Sequence, residues 1–71
     1  MSTYCAYEFW SPSLGCDAVR LSMADARGGE FYRIVPRVAG SKWREVRNRV
    51  LVEIDDAIAA GDEPGEVSDE R

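Results

Sequence analysis

Ser41–Gly61 reads SKWREVRNRVLVEIDDAIAAG, and its periodicity decides how the chain is put together. With Trp43 at the origin of a helical wheel, Val46, Arg47, Val50, Ile54, Ala57 and Ile58 fall within about 60° of it by the 3.6-residue repeat. The stretch therefore predicts one amphipathic helix with an apolar stripe to bury. Ser41 is an N-cap residue type, and Glu45 comes one position too late for a capping box. Gly61 suits the position just past the last turn, and Pro64 stops any continuation. Arg47, at the border of the stripe, can pack its stem and lift its head to water.

Upstream lie three segments that alternate with a period of two: Thr3–Trp10 (TYCAYEFW), Cys16–Met23 (CDAVRLSM) and Glu30–Val35 (EFYRIV). Each is bounded by turn residues, first SPSLG and then ADARGG, and Pro36 removes a ladder donor at the end of the third. Three strands and one helix predict an α+β domain of order β-β-β-α, an antiparallel meander covered on one face by the helix. The domain spans 1–61, and 62–71 reads as an acidic, disordered tail.

Register follows from the turn lengths. A five-residue loop over 11–15 sets Trp10 opposite Cys16 and Tyr7 opposite Val19. A six-residue loop over 24–29 sets Met23 opposite Glu30 and Leu21 opposite Tyr32. One face then collects Cys5, Tyr7, Phe9, Val19, Leu21, Met23, Tyr32 and Ile34 beneath the helix. The other exposes Tyr4, Trp10, Arg20, Phe31, Arg33 and Val35. This register puts Cys5 and Cys16 on opposite faces, unsuited to a disulfide.

Composition limits the chemistry. Seventy-one residues make one domain with a thin core. No run is long and apolar enough for a membrane span, and STYCAYEFW carries no export signal, so a reducing cytoplasm is expected. There is no histidine, which removes the commonest metal ligand and the commonest general base. Asp55 and Asp56 are adjacent on the helix and diverge by about 100°, so they cannot act as a carboxylate pair. No CxxC, phosphate-binding glycine loop or calcium-loop pattern occurs. Asp62, Glu63 and Glu66 form at best a loose divalent-ion set. The expectation is a non-enzymatic protein with no cofactor and no bound metal.

The net charge of −4 hides a split. Residues 1–52 carry five acids (Glu8, Asp17, Asp25, Glu30, Glu45) against eight bases (Arg20, Arg27, Arg33, Arg37, Lys42, Arg44, Arg47, Arg49), a balance of +3. Residues 53–71 carry eight acids (Glu53, Asp55, Asp56, Asp62, Glu63, Glu66, Asp69, Glu70) against Arg71, a balance of −7. Within the helix the sorting opposes the macrodipole, with bases at its positive end and acids at its negative end, at roughly 0.3–1 kcal/mol per charge. Pairs such as Glu45–Arg49 and Arg49–Glu53 recover part of this.

Two binding readings follow. Glu53, Asp55, Asp56, Asp62 and Glu63 form a carboxylate-rich surface that imitates phosphate charge and can occupy a basic, nucleic-acid-binding surface on a protein partner. Val52, alone among polar residues, is either an incidental exposed apolar side chain or the centre of such a patch. Alternatively, Arg33, Arg37, Arg44 and Arg47 with Trp10 form a basic, aromatic surface that binds nucleic acid directly. A third possibility is a module that dimerises through its open sheet face.

In kind, the chain resembles the anti-CRISPR proteins of phages and mobile elements. The likeness rests on its length, its MSTY start without a targeting segment, its lack of catalytic groups and the acidic run from Glu53 to Glu70. It implies an inhibitor that blocks DNA access to a CRISPR effector, with no membrane and no direct nucleic-acid partner. The basic first half departs from a fully acidic mimic. The strands-then-helix order is also similar to β-rich antitoxin-like domains, without their usual motifs.

Overall fold

The computed structural model of the chain describes residues 3–67. Strands β1 (Cys5–Ser11), β2 (Cys16–Ala24) and β3 (Glu30–Pro36) form an antiparallel meander, followed by helix α1 (Ser41–Ala59). The fold is α+β, with strands preceding the helix as their patterning predicts. A two-residue strand, β4 (Gly65–Glu66), then adds to the outer edge of β3 in parallel, giving the sheet order β1-β2-β3-β4. The segment expected to be a disordered tail from 62 onwards is thus built into the fold as far as Val67. Its N–H donates to the Tyr32 carbonyl at 2.7 Å, and its side chain packs on the core. The rest of that expected tail, 68–71, lies outside the described residues.

Both turns are one residue shorter than the sequence reading has them. Ser11 pairs with Cys16 around a four-residue loop. The Ser11 carbonyl accepts from Gly15 N–H at 2.8 Å, and its Oγ accepts from Leu14 N–H at 3.2 Å. Gly15 sits at φ 70°, where a side chain is strained. Ala24 pairs with Glu30 around the second loop. There Asp25 Oδ1 accepts from Arg27 N–H at 2.9 Å and Gly29 N–H at 2.7 Å, while Asp25 N–H donates to the Gly29 carbonyl at 2.9 Å. These short polar links extend each strand by a residue.

Each shift turns the outer strand over relative to β2. Tyr7 lies opposite Arg20, and Leu21 lies opposite Arg33. Val19, Leu21 and Met23 still face the helix, but their β3 companions are Phe31 (2% exposed) and Val35 (5%), the residues expected on the open face. Tyr7, Phe9, Tyr32 and Ile34 take the open face instead. Cys5 and Cys16 share that face rather than opposing one another. Cys5 pairs with Ser22, six residues along β2 from Cys16, about 20 Å at strand rise, and both are free thiols.

The helix stripe falls where its period puts it. Val50, Ile54 and Ala57 are buried in the core, with Trp43, Val46, Leu51 and Ile58 packed against them. The start differs from expectation: Gly40, not Ser41, is the N-cap residue, at φ 70° and without a side-chain capping bond. The end closes as a Schellman turn. Gly61 (φ 77°) donates to the Ile58 carbonyl and Asp62 to the Ala57 carbonyl, both at 3.1 Å.

The α1 helix lies across β2 and β3 and does not pack on β1. Between β1 and the helix runs a groove lined by Glu8, Val19, Arg37, Val38 and Trp43. A Cβ at Gly29 would fall 2.5 Å from Pro64 Cγ. Gly29→Ala should therefore push the 62–67 segment off β3 while sparing the meander. The expected sign is at least tenfold faster amide exchange at Val67, about 1.4 kcal/mol of lost protection. Unchanged exchange there would mean that Pro64 does not hold the segment.

Candidate functional site

Among the described residues, three acids are matched to arginines. Glu53, half-buried on α1, forms an ion pair with Arg33 of β3 between helix and sheet, with side chains 18% and 14% exposed. Glu30 takes Arg20 in a two-pronged contact, at 3.1 and 3.3 Å. The Arg20 hydrogen bond, reinforced by its charge, holds the Glu30 carboxyl below the usual carboxylate range. Arg20 also lies 4.2 Å above the Tyr32 ring, a cation–π contact on the open face. Glu8 meets Arg37 at 3.4 Å between exposed side chains.

The remaining site acids behave differently. Asp55 and Asp56 are exposed on the last turns of α1, and Asp62 and Glu63 are exposed immediately after the Gly61 turn. None of the four enters an ion pair among the described residues. Four carboxylates thus gather at the helix C-terminus, which has no basic residue in its last turn, so the helix dipole adds to their negative field. Val52, 58% exposed, lies one turn back. A shallow groove at this end is lined by Asp25, Arg27, Ile58, Asp62, Glu63 and Pro64, with Arg27 as its one cation among the described residues.

Glu53 therefore leaves the acidic set predicted from sequence. Its position on the wheel brings it to the border of the apolar stripe, and the shifted register places Arg33 beneath the helix to meet it. Arg33 leaves the alternative basic set for the same reason. Of that set, Arg37 is exposed at the end of β3, Arg44 is exposed and Arg47 half-buried on the first half of α1, and Trp10 is 61% exposed on β1. These lie at the opposite end of the molecule. Arg37 N–H donates to the Asp17 carbonyl at 2.9 Å, and Asp17 pairs with Trp10. Along α1, Arg44 and Arg47 precede Asp55 by eleven and eight residues, about 17 and 12 Å of helix axis. The charge split along the sequence is largely kept in space, with Arg27 the exception beside Asp62 and Glu63.

The chain matches no family model, no curated protein and no solved structure. The site's reading therefore rests on its own geometry. Among the described residues no group of three or more cysteines, aspartates or glutamates is placed to hold a metal ion, and no helix is long and apolar enough to cross a membrane. The open sheet face presents Tyr7 stacked on Phe9, ring centroids 5.9 Å apart, beside Arg20 and Tyr32. Sequence reasoning missed this cluster because it placed Tyr7, Phe9 and Tyr32 beneath the helix. The signal that could have found it is the Ser-Pro-Ser-Leu-Gly turn, whose leading serine can cap its own loop and so remain in the strand.

Proposed function

We infer that the chain is a non-enzymatic binding protein that presents Asp55, Asp56, Asp62 and Glu63 to a basic, nucleic-acid-binding surface of a protein partner. The observation that supports this is the contrast between the two classes of acid. Glu8, Glu30 and Glu53 each have an arginine, whereas these four carboxylates stand in solvent at the negative end of a helix dipole and pair with no cation among the described residues. Such an arrangement costs the helix stability and creates a field that a row of arginines or lysines can neutralise. Carboxylates spaced by several Å resemble a run of phosphates to such a surface. The likeness in kind to anti-CRISPR proteins names a CRISPR effector as the first partner to test.

Replacing both Asp55 and Asp56 by lysine is the direct test. The substitution complements the helix dipole at about 0.3–1 kcal/mol per charge, so the fold should hold or gain slightly in melting temperature. Capture of the partner by the immobilised chain should be lost while circular dichroism is unchanged. Capture at wild-type strength would sink the reading. In a gel shift at low salt the wild-type chain should leave free DNA and RNA unmoved. A shift abolished by changing Arg37, Arg44 and Arg47 would transfer function to the opposite pole.

A further inference from the structure

We propose that β1 is a homodimerisation edge, pairing antiparallel with the β1 of a second copy about a two-fold axis at Tyr7. The opposite edge of the sheet is partly covered by β4, whereas among the described residues no strand pairs with the outer edge of β1. Nor does the helix cover it, because α1 packs on β2 and β3 alone. Six of the seven β1 residues are exposed or half-exposed, including Tyr7 (64%) and Trp10 (61%), on opposite faces of the same strand. Natural edges are blunted with lysine, proline or a covering element. The stretch CAYEFWS has no lysine and no proline, and Glu8 is its one charge.

The backbone shows which groups are on offer. Asp17 accepts from Arg37 N–H, and Asp25 donates to Gly29, so the odd-numbered residues of β2 turn their polar groups towards β3. The even-numbered residues of β2 then serve β1, and their partners there are Cys5, Tyr7, Phe9 and Ser11. Ala6, Glu8 and Trp10 are left with N–H and C=O groups directed away from the sheet. These are the groups an added antiparallel strand would use.

An antiparallel partner must match outward-facing residues with outward-facing residues, which limits a two-fold pairing of identical strands to a few registers. Centring on Glu8 sets two carboxylates directly opposite, which is unfavourable. Centring on Phe9 sets Ala6 against Pro12, which has no N–H to donate. Centring on Tyr7 avoids both faults. Ala6 then exchanges hydrogen bonds with Glu8 of the second copy, Tyr4 lies across from Trp10, and Tyr7 meets its own equivalent in the close, non-hydrogen-bonded position. The Tyr7–Phe9 stack of each copy then meets its counterpart across the axis and extends the apolar strip across both copies. The occupant that fits this edge is therefore a second copy, which also adds buried surface to a chain of small core.

Two variants read the proposal, independently of the acidic pole. Ala6→Pro removes an outward N–H and leaves the β1–β2 ladder intact, because Ala6 makes no bond to β2. Sedimentation of the wild-type chain should show a dimer, and Ala6→Pro should weaken it by roughly thirtyfold or more, through two lost hydrogen bonds that leave carbonyls unpaired. With Cys5 and Cys16 replaced by serine, Tyr7→Cys should form an intermolecular disulfide on mild oxidation. Non-hydrogen-bonded pairs place Cα atoms about 4.5 Å apart, within disulfide reach. A wild-type chain that stays monomeric at millimolar concentration would overturn the proposal. So would a dimer indifferent to Ala6→Pro with its fold retained, or cross-linking through Glu8→Cys in place of Tyr7→Cys.

Discussion

Phe31→Ala is expected to lower the stability of the chain by about 3–5 kcal/mol, the largest effect of any single truncation here. Phe31 is the bulkiest fully buried side chain, 2% exposed beneath α1 among Met23, Val50 and Ile54. A chain of this length has only about 4–10 kcal/mol of total stability at 0.05–0.15 kcal/mol per residue. The variant should therefore be partly unfolded at 25 °C, read by urea titration and near-ultraviolet circular dichroism. The matching control is Val52→Ala, at a position 58% exposed on the same helix, which should change stability by less than about 0.5 kcal/mol. A mild effect of Phe31→Ala would restore the register in which Phe31 faces solvent.

Glu53→Ala is expected to be nearly as damaging, at about 2–4 kcal/mol, because it removes the carboxylate that faces the largely buried Arg33 guanidinium between helix and sheet. Arg33→Ala should cost a similar amount by stranding Glu53. The diagnostic variant is the double replacement of both by methionine. Exchanging a largely buried ion pair for apolar side chains of similar volume is often neutral or favourable, so most of the single-variant loss should return. The coupling is measured as a double-mutant cycle in urea. Additive losses would mean that the two side chains do not depend on one another. The same cycle bears on function, because a Glu53 committed to Arg33 has no role at the acidic surface. Partner capture should survive the double methionine variant.

The elements of this fold are legible in the sequence, and their pairing is not. Alternation in CAYEFW, CDAVRLSM and EFYRIV marks three strands because side chains reverse face at every residue. The Trp43–Ile58 spacing marks the helix because its stripe has nothing else to cover. Both signals are local. Register depends on whether Ser11 and Ala24 belong to turn or strand, and that is settled by hydrogen bonds within the loops. Ser11 holds Leu14 and Gly15; Asp25 holds Arg27 and Gly29. A single residue at the second turn puts Phe31 and Val35 in the core in place of Tyr32 and Ile34, and a single residue at the first sends Tyr7 and Phe9 to the open face. Strand β4 was hidden for another reason. Gly65-Glu66 has no strand propensity of its own and pairs because Gly29 leaves room for Pro64 and because Val67 has core to reach.

The placement of the candidate acids was legible in part by the same logic. Asp55, Asp56, Asp62 and Glu63 lie where a wheel and a glycine stop put them, because exposure on a helix follows from its period. Glu53 has an identical charge and lies two residues from Asp55. Its inward commitment depends on Arg33, which only the true register brings beneath the helix.

The measurement that bears most directly on the central claim is displacement of labelled DNA from a purified CRISPR effector, followed by fluorescence anisotropy as the chain is titrated in. The wild-type chain should release the DNA at stoichiometric concentration. With Asp55 and Asp56 both changed to lysine, release should need at least about a hundredfold more protein, the equivalent of some 2.7 kcal/mol. Equal displacement by the two proteins, or none by the wild type, would contradict the assignment of function to the acidic end of the helix.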